Sequence, residues 1–169
     1  MISLTRDNCD FLKQGIDLLE RHSDDTYVNT DTRTFGSGIG SHMRHVLDHY
    51  SSFLAGLETG LVNYDDRARE SRIETDRTSG IERAKSLLKK LSDSRVDPDQ
   101  AIKVIVSANT KEDDAQSMST FGRELQFLAS HTVHHYALIA IASRMQGIDP
   151  PLTFGIAPST LKYMQTADC

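Results

Sequence analysis

Six of the seven histidines in this 169-residue chain fall in two clusters. His42, His45 and His49 form the first, and His131, His134 and His135 the second. On an α-helix, residues four apart lie about 40° apart around the axis and residues three apart about 60°. Each cluster is therefore one stripe. Imidazole is the commonest protein ligand for zinc, nickel, copper and iron, so two histidine stripes on two helices point to a divalent metal. Their contexts differ. His42, His45 and His49 share a face with Ser41 and Asp48, opposite the apolar residues, which also fits a solvated polar face. His131 and His135 sit among Phe127, Leu128, Leu138, Ile139 and Ala142. A buried polar group without a partner costs about 1–3 kcal/mol. Those two rings need either hydrogen-bonding neighbours or a metal, and the second cluster favours the metal.

Two motif classes are excluded. His131-Thr132-Val133-His134-His135 lacks the glutamate that follows the first histidine of an HExxH metalloprotease. No Glu-x-x-His occurs, so a di-iron carboxylate bundle is not supported. A mononuclear, histidine-rich site between two helices remains. Asp48, one turn from His45, either orients an imidazole and accepts a proton or is a solvated helix carboxylate. Glu124 falls in the first turn of the last long helix, where a carboxylate favours the helix dipole, so its reading is structural. Arg67 and Arg69, in the mixed-charge run 63–70, either hold a carboxylate of an anionic substrate or join a surface ion-pair network. Tyr50 and Tyr136 read as core. Cys9 and Cys169 make no disulfide framework, and neither adjoins a helix start or a basic cluster that would activate a thiol.

The elements that must position these residues follow from periodicity. Apolar spacing predicts a first helix over about Thr5 to His22, then a loop from Asp24 to Gly38. The second helix, capped by Ser37 or Ser41, carries the first cluster and runs to Gly60. A charged stretch from Asn63 to Arg77 leads to a third helix after Gly80, stopped by Asp97-Pro98-Asp99. Ile102, Val104 and Val106 alternate with polar residues as a strand does, Asn109 to Asp114 is turn-like, and Gln116 to Ser119 pairs back. A fourth helix from Phe121 to Met145 carries the second cluster and ends at Gly147 and Pro150. The tail from about 147 is irregular, with one short helix. The expected fold is a single domain over 1–169, a helical bundle with a β-hairpin inserted before the last long helix.

The chain resembles the DinB-like family of metal-binding bundles. That family carries a His-apolar-x-Asp element on its second helix and a His-x-x-x-His pair on its last long helix. Here these read His45-Val46-Leu47-Asp48 and His131 with His135, and the likeness covers most of the chain up to about Gly147. The resemblance implies an all-α, antiparallel four-helix bundle and a homodimer, with His45, His131 and His135 as ligands of one divalent ion, zinc or nickel. It also implies metal-dependent chemistry on a small molecule, including transfer of a low-molecular-weight thiol. His42, His49 and His134 are extra histidines. A four-histidine site with His45, His49, His131 and His135 would close a coordination position that a catalytic metal keeps open. Three ligands are favoured, with Asp48 and His49 as candidate catalytic residues beside them.

Composition narrows the classes further. Nineteen Lys+Arg against 24 Asp+Glu give a net charge of −5, and no basic block invites a nucleic acid. No apolar run approaches the roughly 20 residues of a membrane helix. The first residues lack the basic and apolar regions of a signal peptide, so a reducing cytoplasm is expected. Three functional classes fit: a cytoplasmic metal-dependent enzyme, a non-catalytic metal-binding or stress-associated bundle, and a metal-free dimerising module.

Overall fold

Apolar stripes at helical spacing bury their faces against one another, and four long helices follow from them. The computed structural model describes residues 1–30, 36–107 and 115–167. In chain order the elements are α1 (Ser3–Leu19), α2 (Asp24–Val28), α3 (Ile39–Thr59), β1 (Leu61–Asn63), α4 (Ser71–Thr75), α5 (Arg77–Asp93), β2 (Ala101–Ile105), β3 (Gln116–Thr120), α6 (Phe121–Met145) and α7 (Pro158–Ala167). The protein is mostly helical with a small three-stranded sheet. α1 and α3 each pack on both α5 and α6. Beyond the four expected long helices, α2 and α4 occupy segments read from the sequence as loop and charged linker, and α7 is a short helix in the tail, where one was expected. Among the described residues no helix is long and apolar enough to cross a membrane.

Helix ends follow local chemistry. Thr120 caps α6, its hydroxyl accepting from the Arg123 amide at 3.2 Å. α5 begins at Arg77 and not after Gly80, because Asp76 caps it through the Ser79 amide at 3.2 Å and hydroxyl at 2.8 Å. Gly80 sits inside the helix where its missing side chain admits the Tyr27 hydroxyl. α5 stops at Asp93, before the proline, where Ser94 turns extended and its hydroxyl donates to the Leu91 carbonyl at 2.7 Å. α3 begins after Gly38 without a side-chain cap and ends at Gly60, whose φ of 75° is the left-handed turn that glycine adopts most readily. Ser23 caps α2 inside the expected loop, its hydroxyl accepting from the Thr26 amide at 3.2 Å.

The hairpin pairs β2 with β3 antiparallel, Ile102 opposite Ser119 and Val104 opposite Ser117. Its expected turn, Asn109 to Asp114, lies outside the described residues, as does Cys169. β1 adds in parallel to the other edge of β2, Val62 opposite Val104. Three residues are too few to show a strand period, so this strand was not legible.

One polar network pins the helices that carry the histidines. The Tyr50 hydroxyl of α3 donates to Asn8 Oδ1 of α1 at 2.9 Å, and Thr132 Oγ1 of α6 donates to that hydroxyl at 3.3 Å. Asn8 Nδ2 donates in turn to the Leu125 carbonyl of α6 at 3.0 Å. Tyr50, Asn8 and Thr132 are all buried, and Tyr50 and Thr132 are each one residue from a site histidine. Around them Tyr136, Phe53, Phe121, Leu12 and Met43 complete the core.

Gly40 sets how closely α3 approaches α4. A side chain there would collide with the Glu74 carbonyl oxygen and stand 2.9 Å from the Tyr27 ring. Gly40→Ala is expected to cost about 1–3 kcal/mol through overpacking, at about 2–4 °C of Tm per kcal/mol for a chain of this length. Thermal denaturation followed by circular dichroism checks it.

Candidate metal centre

α3 and α6 bring the two stripes face to face. Val46, Leu47, Tyr50 and Phe53 bury the opposite side of α3, yet the histidine side is not solvated either. His49 and Asp48 are each 5% exposed, which removes the reading of this stripe as a wet polar surface. One nitrogen each of His45, His131 and His135 lie within 4.8 Å of one another. The ring centroids stand 5.0 Å apart for His45 and His131, and 4.6 Å apart for both His45 with His135 and His131 with His135. Nitrogens bound to one zinc at 2.0–2.1 Å lie about 3.3 Å apart in a tetrahedron, so small ring rotations close the set. His131 Nε2 is buried and has no hydrogen-bond partner. A polar atom left so is costly, and an ion at the centre of the three rings would satisfy it. The donor set therefore fits a divalent metal.

The remaining histidines have other duties. His42 Nδ1 meets His135 Nδ1 at 3.0 Å, and His42 Nε2 meets Ser37 Oγ at 3.0 Å. With His135 Nδ1–H donating to His42, and His42 Nε2–H donating to Ser37, His135 keeps its Nε2 lone pair for a ligand. This is how outer partners usually orient a metal-binding imidazole. Ser37, considered from sequence as a helix cap, instead ends this chain. His49 donates from Nδ1 to the His45 carbonyl at 2.8 Å, and its ring lies between His131, 4.2 Å away, and Tyr64, stacked at 5.2 Å. His134 is exposed, its ring edge-on to that of His135 at 5.1 Å. His22, the seventh histidine, is a buried core residue held by Thr26 Oγ1 at 3.1 Å and Ser143 Oγ at 3.0 Å.

Asp48 does not hydrogen-bond a histidine among the described residues. Its carboxylate pairs with Arg44 at 3.5 Å, and Arg44 reaches on to Glu74 at 2.9 Å. Burial raises the Asp48 pKa, opposed by Arg44, Arg67, Arg83 and Arg69. Arg67, which the sequence left between substrate binding and surface pairing, lies at the site, its Nη1 donating to His45 Nδ1 at 2.6 Å. Glu124 is structural: Oε2 accepts from the Tyr64 hydroxyl at 2.8 Å and Oε1 from Ser119 Oγ at 2.6 Å. Tyr64 and Phe127, neither singled out as site residues from sequence, form an aromatic wall. Phe127 stacks on His131 at 5.4 Å and lies 5.1 Å from Tyr64. Both also line a cavity of about 350 Å³ with Val104, Ser119, Arg123 and Glu124. A larger cavity of about 630 Å³, between α3 and α5, holds none of the histidines.

No protein-family model matches the chain, and no solved structure does. Among curated proteins the chain is similar to FK506-binding protein 5 of Rhizopus delemar, 35% identical over 109 residues. The match takes in 62% of this chain and 28% of that protein, so the chain spans little more than a quarter of the relative's length. The histidine geometry, and not that name, carries the functional reading.

Burial pushes the site imidazoles toward their neutral forms. His45 falls to about 2, chiefly from desolvation and then from His49, His135, Arg67 and His131. His135 falls to about 3, and His131 and His49 to about 4, again with desolvation first. Their ordinary value is near 6.5, so between about pH 6.5 and 4 the unfolded chain binds more protons than the folded one. Stability should therefore be complete above about pH 6.5 and fall as the pH drops toward 4. In chelator-treated protein, Tm measured across this range should decline, and His131→Gln should flatten the decline.

Proposed function

We propose that this chain is a DinB-like helical bundle holding one divalent ion, zinc or nickel, on His45, His131 and His135. In this reading it is a cytoplasmic metal-dependent enzyme acting on a small molecule, by transfer of a low-molecular-weight thiol. The buried, unpartnered Nε2 of His131 within a converging triple of imidazoles carries the reading. A divalent ion on three neutral imidazoles supplies Lewis acidity, lowering the pKa of a thiol or water at its open positions.

The chain's own residues supply the rest. Ser37 and His42 fix the orientation of His135. The His45 carbonyl holds the His49 ring, which with Tyr64 and Phe127 walls one side of the site. His49 keeps an Nε2 lone pair beside His131 and is the candidate to accept a substrate proton. Asp48 serves by holding Arg44 and lowering the local positive charge. Three ligands leave coordination positions open, which favours an enzyme over a structural site.

Protein purified without a histidine tag should contain about one equivalent of zinc or nickel per chain by elemental analysis. His131→Ala should lose most of it, and His134→Ala should retain it; equal metal content in all three would defeat the reading. The same reading includes a homodimer, supported by Ile141 and Met145 of α6 and Tyr163 and Met164 of α7, all exposed. Light scattering at micromolar concentration should give twice the chain mass.

A further inference from the structure

Arg67 is held at the histidines by a purpose-built turn. Asn63 Oδ1 accepts from the amides of Asp65 at 3.0 Å and Asp66 at 3.1 Å, and the Tyr64 amide donates to the Ile105 carbonyl at 3.0 Å. Arg69 Nη2 donates to the Asp65 carbonyl at 3.1 Å, and Arg69 itself takes φ 47°, a left-handed conformation that costs a non-glycine residue energy. The guanidinium so placed is poorly satisfied. Its Nε is buried with no hydrogen-bond partner. Among the described residues no carboxylate lies within ion-pair distance of it. Its one hydrogen bond there is to His45.

That bond cannot coexist with metal ligation by a neutral His45. A neutral imidazole has one lone pair. Arg67, which can only donate, occupies it, and a metal would take the same pair. With an ion on the histidines, Nη1 loses its acceptor and no longer ties the guanidinium to His45, and the side edge formed by Nε and Nη2, which makes no hydrogen bond among the described residues, can turn to a ligand. Such an edge matches the two oxygens of a carboxylate.

We infer that Arg67 is the anion anchor of this centre, and that the small molecule it takes carries a carboxylate. The inference rests on the metal reading for the displacement from His45, and on the buried Nε for the vacant donor.

The test compares 3-mercaptopropionate with its methyl ester, which keeps the thiol and removes the charge. Calorimetric titration of zinc-loaded protein should show the acid binding at least about tenfold more tightly than the ester. Arg67→Met should keep its zinc and its ester affinity and lose that preference. Contributions from the metal itself are common to both proteins, so a preference undiminished in Arg67→Met overturns the inference. Should Arg67→Met fail to fold, Arg67→Lys takes its place. It keeps the charge but not the fork, and its preference should drop severalfold; an unchanged preference overturns the inference equally. Failure of the metal reading is seen separately, as wild-type protein that takes up no zinc. In that event propionate against propanamide is compared by thermal shift on the metal-free protein. Stabilisation by propionate alone, absent in the Arg67 variant, supports the anchor, and equal effects of the two compounds refute it.

Discussion

The contact between α3 and α6 governs everything at the candidate centre. Neither helix holds enough histidines in reach of one point to bind an ion alone. His131 and His135 converge because they are one turn apart, but His45 reaches them only if the two helices stay in register. That register is held by the buried bonds among Tyr50, Asn8 and Thr132, one residue from His49 and His131. A polar network in a core is worth most when every member is paired, and here the hydroxyls and the amide all find partners. A rotation of either helix would break those bonds and separate the rings.

Burial sets the electrostatics of the region. Four imidazoles and Arg67 lie close together, the nearby buried carboxylate Asp48 is engaged by Arg44, and burial resists additional positive charge on the rings. Proton loss is the way the imidazoles meet that constraint, and it leaves them with lone pairs at neutral pH. The arrangement that disfavours protons is thus the one that suits a metal. Among the described residues no carboxylate joins the triple, so an ion there would keep its positive charge. Anionic character would have to come from the substrate, and this gives the location of Arg67 a chemical meaning.

The sheet and its linker serve this location. β1 is only three residues long, but its parallel pairing with β2 fixes where the chain goes after α3. The turn that follows sends Tyr64 inward, stacked on His49 and bonded to Glu124, and brings Arg67 onto His45. Glu124 links this turn to α6 and, through Ser119, to β3. Its burial among hydrogen-bond donors accounts for its presence more directly than a helix dipole does.

Local patterns determined much of this protein. The apolar stripes specify the four long helices, and α6 runs from Phe121 to Met145 as its periodicity indicates. Alternation specifies the β2–β3 hairpin, and i, i+4 spacing alone places His131 beside His135. These features depend on residues a few positions apart, where geometry follows from the period of the chain. Tertiary structure decided the rest. Whether the α3 stripe faced water or α6 depended on packing against a helix about 85 residues away. The duties of Ser37, His42 and Arg67 depended on partners in other elements, and residue type at those positions carries no sign of who the partner is. β1 was too short to show a period, and α2 and α4 too short to show a stripe. For such segments the long-range neighbours, and not the local sequence, supply the free energy that selects the conformation.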